Sequence, residues 1–521
     1  MIVKAVVNKK QLLFHSLCYK FVISLHVSNK IIFHILPTLN KRFAIIKRVI
    51  NLCKKVFTKN TSKKAIVNNH VTTLEQPIVL TRDQHPVSRQ LISPNALKVL
   101  YRLNKGGFDA YLVGGGVRDI LLGQKPKDFD IATNATPDEI KGLFRNCRLI
   151  GRRFRLAHIV FGREIIEVAT FRGHHDSEGQ KGKDSTKTSK QNDDGMLLRD
   201  NIYGTIDEDA ERRDFTINAL YYSSKDFKVL DFANGVKDVE DKVIRLIGDP
   251  ETRYREDPVR MLRAIRFATK LDMKIAKETQ QPITELAPLM ANIPAARMFE
   301  EFLKMFISGK AVANYKQLRK YQLFGFFFPA VNLALDNHSE GNSEQLERFI
   351  IQAMTNTDNR INNDQRVTPA FLFAAMLWYS LQNYIRQINA NRQLSPQDAF
   401  FAALSEIMPE QQQSIAIPKR FQSVMKDIWI LQEKLERREG KKAFKTFEHP
   451  KFRAGYDFLL LRAEVEKDNG HLTELSKWWT DFQNVSHEAQ EQMVKGIKSS
   501  PGAKRRTPRK RRKPTNQATV D

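Results

Sequence analysis

Cysteine is scarce in this chain: three residues in 521, Cys18, Cys53 and Cys147. They form no C-x-x-C pair and no zinc-ligand spacing, so structural zinc is excluded and a reducing cytoplasm fits. Long apolar runs are also missing. The stretch from Leu12 to Leu36 is fairly apolar, but Lys20 and Lys30 interrupt it before it reaches the roughly 18–20 residues a spanning helix needs. No small-residue cleavage site follows, which argues against a secretory signal. Neither a P-loop nor a G-x-G-x-x-G fingerprint occurs, so ATPase and dinucleotide readings are poor.

Acid is absent from the first 74 residues, which carry 14 Lys or Arg before the first acidic residue, Glu75. Of the formal charge of +27, residues 1–74 supply +14 and residues 495–521 supply +9, so the body between them is only +4. Such polycationic ends bind polyanions, nucleic acid first and an anionic membrane surface second. For residues 1–45 three readings stand: a segment lying on a membrane surface, a targeting peptide, or a start codon placed too far upstream. The last is favoured, because the recognisable domain begins only near residue 90.

Residues 60–90 are polar and mixed and read as a linker within a basic extension, 1–90. A helical pattern over Asn95–Leu103 leads to a strand, Ala110–Val113, then a Gly114-Gly115-Gly116 turn and a helix, Val117–Leu122. Phe129–Ala132 and Ile159–Phe171 read as further strands. His174–Gly195 is a low-complexity insert with the character of a surface loop. From about 235 onward helical spacing dominates, as in Arg260–Lys270, Pro369–Ile388 and Pro418–Leu435. The expected fold is α+β: a small mixed-sheet head over 91–235, neck helices over 236–310 and a helical body over 311–490. Pro501, Pro508 and Pro514 amid Lys and Arg predict a disordered basic tail, 491–521.

The chemistry concentrates in Leu112-Val113-Gly114-Gly115-Gly116-Val117-Arg118-Asp119 and, nearby, Lys127-Asp128-Phe129-Asp130. Asp128 and Asp130 lie two apart on an expected strand, so both carboxylates face the same way, about 6–7 Å apart along the chain. They can converge on a hard cation, Mg²⁺ or Mn²⁺, which typically takes one or two carboxylates plus substrate phosphates. Two such ions about 3.5–4 Å apart would activate a hydroxyl and stabilise a leaving pyrophosphate. Gly114 and Gly115 let backbone N–H groups approach a triphosphate, and Arg118 adds a charged contact. Alone, a D-x-D is most often a solvated strand end and a Gly triplet a tight turn; their combination is far more specific.

Gly-Gly-x-Val-Arg-Asp followed by Asp-Phe-Asp resembles the head of class II nucleotidyltransferases, the polymerase β superfamily branch that holds CCA-adding enzymes and bacterial poly(A) polymerases. Three further segments agree. Arg212–Leu220 resembles the family's second motif, Glu256–Phe267 its nucleotide-selecting helix, and Glu164–Arg172, with Glu167, its third catalytic strand. The resemblance covers about residues 90–310 strongly and implies a polymerase β-like head, ATP as substrate and addition to RNA 3′ ends. It implies Arg213 and Asn218 as nucleotide contacts.

From the residues themselves, Asp214 is a candidate third carboxylate or an outer hydrogen-bond partner of the metal site; its bland alternative is a pair with Arg212 or Arg213. Glu167 is the rival third ligand, on a strand neighbouring Asp128 and Asp130. Asp257 and Arg260, three apart on an expected helix, would read a base's pairing edge or else form an ordinary i,i+3 ion pair. His174-His175-Asp176 has no partner histidines, so a hydrolase domain is not expected. Phe371, Phe373, Trp378 and Tyr379 read as core.

Two features favour poly(A) synthesis over CCA addition. Leu149–Ile159, with Arg152 and Arg153, resembles the pattern that marks bacterial poly(A) polymerases and would hold a primer's phosphates. The tail Lys504, Arg505, Arg506, Arg509, Lys510, Arg511, Arg512, Lys513 gives eight basic residues in ten, a sequence-blind grip on RNA. The segment Phe447–Arg453 looks like the helical body of the same enzymes. Expected partners are RNA 3′ ends, from mRNA to small and decaying RNAs, with RNA-decay machinery and peripheral membrane contact as further candidates. A non-enzymatic RNA-binding protein with a decayed head is the remaining alternative.

Overall fold

Short runs of alternating or continuous apolar residues form eight strands that join in one sheet. The computed structural model describes residues 74–497, apart from 75, 152–154, 174–202, 338–342, 393 and 467–469. The strands are β1 (Ile78–Leu80), β2 (Ala110–Val113), β3 (Asp130–Thr133), β4 (Cys147–Ile150), β5 (Leu156–Phe161), β6 (Glu164–Thr170), β7 (Leu220–Ser223) and β8 (Val229–Asp231). Their order across the sheet is β1-β8-β7-β2-β3-β6-β5-β4. All neighbours are antiparallel except β3 and β6, which run parallel.

Capping residues start several of the head and neck helices. Ser93 accepts a hydrogen bond from the Ala96 N–H, and Pro94 opens α1 (Pro94–Lys105), whose Val99, Leu100 and Leu103 are buried. The turn after β2 starts α2 (Gly115–Leu121). Thr136 and Glu139 form a reciprocal capping box on α3 (Pro137–Leu143). Asp249 caps α4 (Pro250–Glu256), which stops at Asp257 and Pro258 before α5 (Val259–Leu271). The described residues beyond 276 form helices and their connections, with long helices at Ser343–Asn362, Pro369–Arg392, Pro396–Ser414 and Lys419–Glu436.

Several expectations need correction. Residues 78–80 do not belong to a linker: β1 pairs with β8, and nearby Val87 is fully buried. The pattern over Ile159–Phe171 conceals a hairpin, with β5 and β6 joined through Gly162 at φ +63°. Phe447–Arg453 is no helix; one helix ends at Phe447 and the next begins at Phe452. The largest hydrophobic cluster runs unbroken across residues 235 and 310, and smaller separate ones lie around Trp479, Phe482 and Leu435, around Val113, Tyr221 and Phe232, and around Ala219 and Ile247. Phe373 and Trp378 lie in the core, with Phe371 and Tyr379 packed against it. Among the described residues no helix is long and apolar enough to cross a membrane.

Candidate active site

The sheet register sets one row of side chains across the middle of the head. Tyr221 lies opposite Val113, Val113 opposite Asp130, Asp130 opposite Glu167, Glu167 opposite His158 and His158 opposite Arg148. Directly opposed residues share a face of the sheet, so two carboxylates, a histidine and an arginine follow one another on adjacent strands. Asp128 sits two residues before Asp130, with buried Phe129 between them turned the other way. Asp128 itself lies just before β3 and not on the strand.

Electrostatically this row is frustrated. Water reaches Asp130, yet protein crowds it closely enough that burial is the main force raising its carboxyl to about 6; Glu167 and Asp128 add repulsion, and Arg213 opposes them. Glu167 is about half exposed, at 49%. Among the described residues no three acidic, histidine or cysteine side chains are already gathered to hold an ion. A Mg²⁺ site typically takes one or two protein carboxylates, with substrate phosphates completing the shell. The mutual repulsion is what a cation would relieve.

Beside the row stands a second cluster with the opposite balance. At Gly114 the backbone takes φ 62°, ψ −121°, a conformation side chains rarely adopt, and a Cβ there would meet the Arg213 Nη1 at 3.3 Å. No side chain caps α2 at Gly114. Arg118 is buried; its Nη1 donates to Asn218 Oδ1 at 2.6 Å and its Nε and Nη2 to Asp119 Oδ1 at 2.9 and 2.6 Å. Asn218 Nδ2 donates to Asp214 Oδ1 at 3.0 Å, and Arg263 Nε and Nη2 reach Asp214 Oδ2 at 2.6 and 2.5 Å. Burial would raise the Asp214 carboxyl, but Arg263, Asn218 and the Phe215 N–H outweigh it and hold it at about 2.

Asp214 therefore pairs with Arg263, and neither Arg212 nor Arg213 is its partner. Arg213 instead donates from Nε to the Tyr221 hydroxyl at 2.7 Å and from Nη2 to Asp209 Oδ2 at 3.0 Å. The guanidinium groups of Arg118, Arg263 and Arg266 surround the Phe267 ring at 5.3, 5.2 and 4.5 Å from its centre. Arg266 Nε is buried without a hydrogen-bond partner. Arg263, Arg266 and Phe267 were not among the sequence candidates. Their spacing along α5 is ordinary for a helix; only packing against Arg118 and Asp214 marks them.

Asp257 and Arg260 neither share a helix nor form the i,i+3 ion pair. Asp257 is not on a helix: it ends α4, and its Oδ1 accepts from the Val259 N–H at 3.2 Å. Its Oδ2 is held by Arg297 at 2.7 Å. Arg260 Nη1 donates to Glu256 Oε2 and to the Arg253 carbonyl, both at 2.7 Å. No Asp257–Arg260 ion pair forms, because each side chain has a different partner. Arg152, Arg153, the tail residues Lys504–Lys513, the 174–195 insert and residues 1–73 lie outside the described residues.

Three family models match the chain: the poly A polymerase head domain over residues 110–245, the probable RNA and SrmB-binding site of polymerase A over 272–335, and the polymerase A arginine-rich C-terminus over 392–513. Proteins named poly(A) polymerase I are similar along almost their whole length. That of Salmonella typhimurium is 53% identical over 476 residues, covering 91% of this chain and 99% of the relative. That of Haemophilus influenzae is 49% identical, covering 80% and 90%. The protein of Lactobacillus helveticus named CCA-adding enzyme is 39% identical over 210 residues, covering 40% and 49%.

Proposed function

The chain belongs to the poly(A) polymerase I family of nucleotidyltransferases, and from that membership we propose that it adds adenylates from ATP to RNA 3′ ends without a template. One observation carries the choice of product: similarity to the proteins named poly(A) polymerase I extends through the helical body, whereas the Lactobacillus helveticus CCA-adding enzyme matches over less than half of this chain.

The chain's own residues divide the work. Asp128 and Asp130, with Glu167 beside them, are the groups that would hold Mg²⁺. When bound, the metal supplies activation of the primer hydroxyl and charge stabilisation for the leaving pyrophosphate. Arg118, held by Asp119 and Asn218, and the neighbouring Arg263 and Arg266 set positive charge beside the glycine turn, where a triphosphate's oxygens would lie. Asp257 and Arg260, each fixed by its own ion pair, present an acceptor and a donor fork to an adenine edge. The basic tail supplies grip on many RNAs in the cytoplasm, and the tailed RNAs are marked for decay. Deleting residues 500–521 should lower the log–log salt slope of RNA binding by about 3, at about 0.7 per single-strand phosphate contact.

The test is incubation with an unrelated RNA primer, Mg²⁺ and each nucleoside triphosphate separately. ATP alone should give a long adenylate run, and CTP should be used poorly. A requirement for tRNA lacking its terminus, with CTP entering before ATP and synthesis stopping, would replace this reading with CCA addition.

A further inference from the structure

Glu167 has neighbours in the row on both sides, and only one of them is acidic. On β3, Asp130 lies opposite it in parallel register, one strand spacing away, about 4.8 Å. On β5, His158 lies opposite it in antiparallel register, and His158 Nε2 approaches Glu167 Oε1 at 3.2 Å. The histidine is largely enclosed, with 19% of its side chain exposed against 49% for Glu167. His158 Nε2 is buried from water and, despite that short distance, stands outside hydrogen-bond geometry with any group.

A buried ring nitrogen without a partner is unfavourable, and the cost ends when a small rotation of Glu167 completes the contact. Glu167 has the freedom to make that rotation because half of it is in water. A carboxylate has two oxygens. One taken by His158 leaves the other on the side of Asp130, and the donation needs no charge on the ring, only a proton on Nε2.

We infer that His158 is a positioning residue: it fixes the rotamer of Glu167 across the β5–β6 pair so that this carboxylate completes the cation site with Asp128 and Asp130. This rests on the reading of that row as the metal-holding row. Groups that hydrogen-bond a ligating carboxylate commonly set metal affinity by 10–100-fold, and His158 is the β5 residue opposite Glu167 at this register.

Glutamine and asparagine separate the two ring nitrogens, because a Gln amide nitrogen reaches about where Nε2 stands and an Asn amide only about as far as Nδ1. The measurement is Mn²⁺ binding, followed by electron paramagnetic resonance of the free ion, to the full chain with an unreactive ATP analogue. His158→Gln should bind within about twofold of the wild type, and His158→Asn should bind about tenfold more weakly. In a Glu167→Gln background, His158→Asn should add no further loss.

Equal behaviour of the Gln and Asn variants would overturn the inference, since a role in strand packing alone affects both alike. So would a full additional loss in the Glu167→Gln background, or a wild-type chain that takes up no Mn²⁺. The predicted Gln–Asn difference in a chain that extends no RNA would support His158 while removing the polymerase reading. Normal polyadenylation without that difference would do the reverse.

Discussion

Asp130 and Asp214 are the same residue type in the same small head, and the fold drives their carboxyls in opposite directions. Asp130 stands in a row with Glu167 and near Asp128, and its pKa rises to about 6. Asp214 is gripped by Arg263 and Asn218, and its pKa falls to about 2. The first is an unsatisfied anion site that gains from a cation. The second has already found its cation, in the form of a guanidinium that also packs on Phe267. The contrast separates a carboxyl crowded by like charge from one already neutralised by an arginine, and under the proposed function the first would hold the metal and the second would hold an arginine in place.

The largest effect should come from the row. Asp128→Asn and Asp130→Asn should each cut primer extension by at least about 10³-fold, the several kcal/mol supplied by a metal clamp, with RNA binding retained in a filter assay. Substantial residual extension would break the comparison at its first term. Without metal, Asp130→Asn should also change the pH response of folding. A native pKa raised above the unfolded one means that stability falls as pH climbs from about 4 to about 6. Melting curves of the wild type should show that fall, and those of Asp130→Asn should lack it.

Asp214→Asn should behave in the reverse sense. Its depressed pKa stabilises the native state above about pH 4, by about 2 kcal/mol, and that contribution is lost as pH drops toward about 2. Denaturant titrations at pH 7 should therefore show the variant less stable than the wild type by about that amount, with the gap closing in acid. A variant of full stability that has lost nucleotide addition would move Asp214 into the metal-holding group.

The smallest effect should be on base choice. Arg297→Met frees Asp257 from its 2.7 Å partner while leaving both carboxylate sites untouched. The ratio of ATP to CTP incorporation should fall by about tenfold, roughly 1.4 kcal/mol of lost orientation, with the Mg²⁺ dependence unchanged. An unchanged ratio would show that the edge of the base is read elsewhere.

Much of this was legible beforehand for a local reason. β2, α1 and α2 follow from apolar spacing, a Ser-Pro start and a glycine turn, all of which act within a few residues. The hairpin of β5 and β6 was hidden because the turn at Gly162-Arg163 is only two residues long, so the apolar residues on either side read as one pattern. β1 was hidden because three residues carry too little pattern to stand out from their polar surroundings. The break between α4 and α5 followed from Asp257-Pro258, yet the helical spacing on either side concealed it.

By itself the sequence determined which groups are candidates for the chemistry: the glycine turn, the two aspartates flanking Phe129, the arginines of the second motif and the near-neutral body between basic ends. Those are matters of residue type and short spacing, which the chain carries wherever it goes. Only the tertiary structure decided which carboxylate meets which cation. Asp214 finds Arg263 49 residues away, Asp257 finds Arg297 40 residues away, and Glu167 meets Asp130 through a parallel pairing. The electrostatic energy of a charged group depends on its burial and on partners within a few ångströms, and in this head those partners come from distant parts of the chain.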